Sequence, residues 1–201
     1  MKMEFNWINL TLMNINALLF SILSIVSVIP VTLTKKYGEK AWKLCYYLRI
    51  AMSVFIIFMI ANMVLWIWYP VEIISWKISD KFWIGIIIGV VILIPCSIFT
   101  YLALRDGGEE HMKPEQDREL FGGIYNYIRH PGVLGEMPFY VAMGFFVNSW
   151  FLVIWSIVFV TLYTAIYIPV EENDLAKRFG DQYTEYRKRT GALLPKFRKR
   201  N

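Results

Sequence analysis

The chain has 201 residues, 57% of them hydrophobic and 18% charged, with a mean hydropathy of +0.44; one soluble core of this length cannot bury so much apolar surface. The net charge of +5 arises from Lys and Arg beside apolar runs and not from one soluble patch, which argues against a nucleic-acid partner and for anionic lipid headgroups. The two cysteines, Cys45 and Cys96, show neither metal-ligand spacing nor a disulfide framework; they are expected to be packing residues, and no metal is expected.

Apolar runs follow in chain order at 10–33, 50–68, 82–104, 132–147 and 150–168. Most approach the ~20 residues that a helix needs to cross ~30 Å of hydrocarbon, so the pattern predicts an all-α polytopic membrane protein of about five transmembrane helices. The first run has no clearly basic leader and no small-residue cleavage site, and is expected to be retained. Trp66, Trp68, Tyr69, Trp76 and Trp83 crowd the facing ends of the second and third runs, as an interfacial aromatic belt would. The fourth run is short and contains Pro138. Only Asn148 and Ser149 separate it from the fifth, which predicts a tight helical hairpin, tilted or short of a full crossing.

All 21 Lys and Arg except Lys2, Lys77 and Lys81 lie after the first run, after the third run or in the tail. The positive-inside rule then puts the N-terminus outside and the C-terminus in the cytosol, and an odd number of spans demands the same opposition. The Ile-, Lys- and Asn-rich composition points to a prokaryotic plasma membrane. In that arrangement the polar stretches 105–128 and 169–201 are both cytosolic. The second starts at Pro169 and reads as a new helix to about residue 189, with Leu175, Phe179, Tyr183 and Tyr186 at helical spacing.

The residues able to do chemistry gather around these two stretches. Gly123 to Pro131 leads directly into the fourth run, and Pro131 suits a first helical turn because its missing N–H costs nothing there. The free backbone N–H groups after it, with Gly132 allowing close approach, favour an anionic group. Arg129 and His130 add charge and a titratable donor at the same spot; the bland alternative is that they anchor a helix end at the headgroups. Glu171 and Glu172 follow Pro169 and would occupy the first turn of the next helix. They point about 100° apart, so one can face a pocket while the other caps; Tyr167, Glu171 and Leu175 share a face, and Glu171 is expected to look inward. Glu136 lies one turn after Gly132 in an apolar run, either as a functional group at membrane depth or as a side chain reaching water.

Taken together, Gly-x-Tyr-x-x-x-Arg-His-Pro at 123–131, Glu171-Glu172, Phe179-Gly180-Asp181-Gln182-Tyr183-Thr184-Glu185-Tyr186 and Pro195 resemble the isoprenylcysteine carboxyl methyltransferase family and the related phospholipid methyltransferases. The resemblance covers about residues 113–197, roughly the last two fifths of the chain. It implies a membrane-embedded enzyme that binds S-adenosylmethionine (SAM) on the cytosolic side and admits a lipophilic or lipid-anchored acceptor from the bilayer. Residues 1–104 would then be an N-terminal three-helix membrane bundle, and 105–201 the SAM-binding part, with a cytosolic C-terminal helical segment completing the pocket. Carried over by position, Leu120 (with its neighbours back to Asp117), Tyr125, His130, Pro131, Gly132, Val133 and Glu171 would hold the cofactor. Glu171, Glu172 and Arg129 would serve catalysis, and Glu136 and Tyr167 would meet the substrate.

The family commonly has tyrosine where this chain has Val133. Its prenylcysteine-esterifying members tend to carry arginine where this chain has Tyr167. The acceptor therefore stays open between a carboxylate, a lipid amine and a thiol. Two other readings stand beside this one: an NADPH-dependent enzyme similar to the steroid reductases, suggested by Gly135-Glu136 after a proline-led helix start, and a non-catalytic scaffold of the same fold.

Overall fold

The structure, a computed structural model, describes residues 2–108, 112–115 and 122–196. Four of its helices are long and apolar enough to cross a bilayer: α1 (Lys2–Ser27), α3 (Lys40–Leu65), α4 (Phe82–Gly107) and α7 (Trp150–Phe179). Shorter helices fill the intervals, namely α2 (Pro30–Tyr37), α5 (Pro131–Glu136), α6 (Pro138–Phe146) and α8 (Asp181–Arg189). No strand occurs among the described residues, and the chain is an all-α polytopic membrane protein. On α4 the side chains of Ile86, Ile87, Val90, Val91, Ile94 and Ile98 all face outward. Such a face is tenable against lipid chains and a liability against water.

The first apolar run is interrupted. Pro30 has no N–H and its ring opposes the carbonyl four residues back, so α1 stops at Ser27 and α2 restarts at Pro30. The freed N–H groups of Val31 and Thr32 donate to the buried Asp174 carboxylate at 3.0 and 2.7 Å, and the Thr32 hydroxyl adds a contact of 2.6 Å. A residue of α7 thereby caps α2. The fourth run forms α5 and α6, joined at Met137, whose backbone stays right-handed helical. Pro138 removes one hydrogen bond at the joint. The pair extends only about 24 Å at 1.5 Å per residue, an interrupted rod beside four long ones.

Pro169 does not open a new helix: α7 runs through it from Trp150 to Phe179. In an apolar surrounding, forgoing one i→i−4 bond costs less than exposing several backbone groups at a break. The break falls instead at Gly180, whose φ of +57° suits glycine, and α8 follows. Glu171 and Glu172 therefore sit inside a continuous helix and not in a first turn. Trp66 also departs from the expected belt: it is buried and stacks on Phe151 at 4.8 Å, while Trp68, Trp76 and Trp83 project outward.

Polar pairs fix the register of α1 on α3. Asn62 Nδ2 donates to Asn9 Oδ1 at 2.8 Å, and Asn16 Nδ2 donates to Asn62 Oδ1 at 2.8 Å; lipid offers these amides no partner, so helix must satisfy helix. The third long helix, α4, packs mainly against α5 and α6. A Cβ on Gly135 would lie 2.6 Å from the Thr100 backbone nitrogen, so this close approach requires glycine. The α6–α7 hairpin turns at Asn148, φ +59°, and Ser149 Oγ caps α7 by accepting from the Leu152 N–H at 3.3 Å. Phe20, Tyr140, Phe159 and Tyr163 then form an aromatic core with ring spacings of 5.3–6.2 Å.

Candidate functional site

The segment before α5 is held from two directions. Gly123 adopts φ +59° and opens a 3₁₀ turn over Gly123–Asn126, where the Asp106 carboxylate accepts from the Ile124 N–H at 2.7 Å. From the other side the tail returns: Arg129 N donates to Gly191 O at 2.9 Å and His130 N to Ala192 O at 3.1 Å. Tyr186 Oη donates to Tyr125 O at 2.7 Å. The chain around His130 is thus laced to α4 and to the residues after α8, although neither is its neighbour in sequence.

His130 is 5% exposed and engages both ring nitrogens: Nδ1 lies 2.9 Å from Glu171 Oε2, and Nε2 lies 3.0 Å from Glu172 Oε1. A ring that meets carboxylates at both nitrogens donates from both, which is the charged form. Burial opposes that charge, but hydrogen bonds and the charges of Glu171 and Glu172 outweigh burial and raise the His130 pKa to about 9. Behind it, Glu172 is buried against Arg129, whose Nε and Nη2 both lie 2.7 Å from Glu172 Oε1. The same guanidinium donates to the carbonyls of Arg187 and Thr190. Arg187 reaches the other Glu172 oxygen at 3.0 Å from an exposed position.

A cavity of about 340 Å³ lies between α1, α3, α5, α7 and α8. Tyr125, Arg129, His130, Pro131, Gly132, Val133 and Glu136 contribute from one segment, and Tyr167 and Glu171 from α7. Tyr167 Oη donates to Glu171 Oε1 at 3.2 Å, so Glu171 is held by Tyr167 and His130 while its side chain keeps 22% exposure. His130 and Glu171 therefore share one cavity. With both nitrogens committed, His130 offers no ring N–H to a ligand carboxylate; it orients Glu171.

Arg129 and Glu172, expected as catalytic residues, are placed differently. Arg129 borders the cavity but directs its guanidinium to Glu172 and the 187–190 backbone, and Glu172 does not line the cavity at all. They form a clamp behind the wall. Leu120 and its neighbours back to Asp117 lie outside the described residues.

Several lining residues escaped sequence reasoning: Phe20 and Ser24 from α1, Arg49, Met52 and Ile56 from α3, and Asp174 from α7. The charge of Arg49 acts on Glu171, yet in sequence it is one of several cations on a basic connection. Its position at the edge of an apolar run was the one available signal.

The stretch that builds most of this site also matches known proteins. Residues 84–182 match the model of the phospholipid methyltransferase family, starting near the beginning of α4 and ending just after Gly180. The chain is 26% identical over 146 residues to methanethiol S-methyltransferase of Pseudomonas deceptionensis, covering 67% of this chain and 54% of that protein. It is 24% identical over 165 residues to methanethiol S-methyltransferase 1 of Bradyrhizobium diazoefficiens, covering 71% and 54%. With methanethiol S-methyltransferase of Crocosphaera subtropica it is 26% identical over 155 residues, covering 66% and 55%. The chain spans about half the length of these curated relatives. Over residues 84–182, just under half of its length, the chain is similar to the phospholipid methyltransferase family, and its relatives are likewise methyltransferases.

Proposed function

We propose that this protein transfers a methyl group from SAM to a small lipophilic acceptor, with a thiol as the acceptor class. The observation that carries this reading is Glu171, fixed by His130 and Tyr167 on the wall of an aromatic-lined cavity inside the family-matched region. The residues present suit the donor. SAM is a cationic sulfonium that carries an ammonium, a carboxylate and a nucleoside. Carboxylates of Glu171 and Glu136 and the aromatic side chains of Tyr125, Tyr163, Tyr167 and Phe179 line the space, and both kinds of group can favour a cation.

When bound, SAM supplies an electrophilic methyl group. The protein's part is then to align donor and acceptor and keep water out. Glu171 holds the donor's ammonium, His130 keeps that carboxylate charged and aimed, and Tyr167 holds it from its own helix. A thiol must lose its proton to attack, and Glu136 on the α5 wall is assigned as the acceptor of that proton, since Glu171 is committed to its partners.

Tyr167 in place of a cation speaks against carboxylate recognition at that position, and relatives named for methanethiol speak for sulfur. By charge distribution the cavity belongs at the cytosolic leaflet, with the N-terminus outside and the acceptor arriving from the bilayer. Residues from α4 onward carry the donor site, and α1 and α3 complete the acceptor side.

Purified protein with methyl-labelled SAM and, separately, short alkanethiols, a phospholipid extract and a prenylcysteine analogue tests this. Label in a thioether supports the reading. Label in an ester or a phospholipid alone overturns the acceptor class, and absence of transfer together with tight NADPH binding favours the reductase alternative.

A further inference from the structure

Tyr183 is the third residue of α8, in the turn that begins at Asp181, and it is 2% exposed. It lines the cavity that holds Glu171, and its ring lies 5.8 Å from Tyr186, whose own hydroxyl is satisfied by Tyr125 O. The Tyr183 hydroxyl, in contrast, is buried without a hydrogen-bond partner among the described residues. A phenol stripped of water and left unpaired is unfavourable, and a buried tyrosine ordinarily finds a partner for its O–H. Phenylalanine would fill the same space without that penalty. The place in the fold also matters: α8 begins only because Gly180 turns the chain at φ +57°, and that turn brings Tyr183 back under α7 to the cavity wall.

We propose that Tyr183 is a further donor-binding residue, whose hydroxyl donates a hydrogen bond to an acceptor oxygen of bound SAM. This rests on the reading of the cavity as a SAM site and adds to it a contact from outside the 125–136 and 167–171 segments. Two oxygens of the donor have the required chemistry, the amino-acid carboxylate and the ribose hydroxyls.

The test is equilibrium binding of SAM and of 5′-methylthioadenosine to wild type and Tyr183→Phe in one detergent, with thermal unfolding of both proteins without ligand. A hydroxyl with no partner in the free protein predicts an unusual split. Tyr183→Phe keeps or raises the unfolding temperature of the free protein, yet weakens SAM binding about tenfold. Methylthioadenosine lacks the amino-acid end: an equal loss for both ligands assigns the contact to the ribose, and a loss for SAM alone assigns it to the carboxylate. Unchanged SAM affinity in Tyr183→Phe overturns the inference while the cavity reading stands. A fall in free-protein stability also overturns it, because the hydroxyl then has a protein partner. Failure of wild type to bind SAM removes the cavity reading and this inference with it.

Discussion

Glu172 is contacted by two arginines of very different burial, and the difference sets the expected cost of removing each. The Arg129 side chain is 8% exposed, lies 2.7 Å from Glu172 Oε1 and also donates to the carbonyls of Arg187 and Thr190. Arg129→Ala leaves a buried carboxylate with His130 as its remaining buried cation and strips two backbone carbonyls of a donor. Breaking a buried pair costs roughly 3–5 kcal/mol, and the retained His130 puts the expectation near the lower end, about 3 kcal/mol. The Arg187 side chain is 60% exposed, so Arg187→Ala gives up a solvent-screened pair worth less than about 1 kcal/mol. For a chain of this size the first change lowers the unfolding midpoint by on the order of 6–12 °C and the second by less than about 4 °C. Thermal unfolding of the two variants and wild type in the same detergent measures this. Equal shifts, or the larger shift for Arg187→Ala, refute the assignment of Arg129 as the buried half of the clamp.

Other consequences follow from single contacts. The pKa of His130 is raised from 6.5 to about 9, so its stabilising contribution is complete below about pH 6.5 and is lost as pH rises through about 9; the stability gap between wild type and His130→Gln narrows from pH 6 to pH 10, and a pH-independent gap contradicts the charged histidine. Asp174→Ala removes the carboxylate that accepts from Val31 and Thr32 and is expected to cost about 1–3 kcal/mol, read by chemical unfolding, with no loss meaning that α2 is not tied to α7. Glu136→Gln is expected to lower turnover with alkanethiols about 100-fold or more at saturating SAM, and unaltered turnover removes Glu136 as the proton acceptor.

The long helices were legible because a bilayer imposes a length and an apolar content that few other settings demand. Proline shows where that legibility stops. Pro30 ends a helix and Pro169 does not, although both stand in or beside apolar runs. What distinguishes them is tertiary: the amides freed at Pro30 find Asp174 across the bundle, a partner that no local pattern announces. Around the site, the grouping of Arg129, His130, Glu171 and Glu172 could be read from types and order. Their division into cavity wall and clamp could not, because it depends on which of two adjacent glutamates the α7 rotation turns toward His130 Nδ1 and which toward Arg129. The return of residues 190–192 to pair with 129 and 130 was equally invisible, since it is made by backbone groups that any side chains carry. Arg49 and the α1 contributions came from the half of the chain that has no motif, and packing alone brings them to the cavity.

The most direct test of the donor site is SAM affinity, measured by isothermal titration on the intact protein and on His130→Ala and Glu171→Ala. Loss of one charge-assisted hydrogen bond at a carboxylate that holds the donor's ammonium predicts that each substitution weakens binding about tenfold or more. Wild-type affinity in both variants, with both still folded, would contradict the assignment of this cavity to the methyl donor.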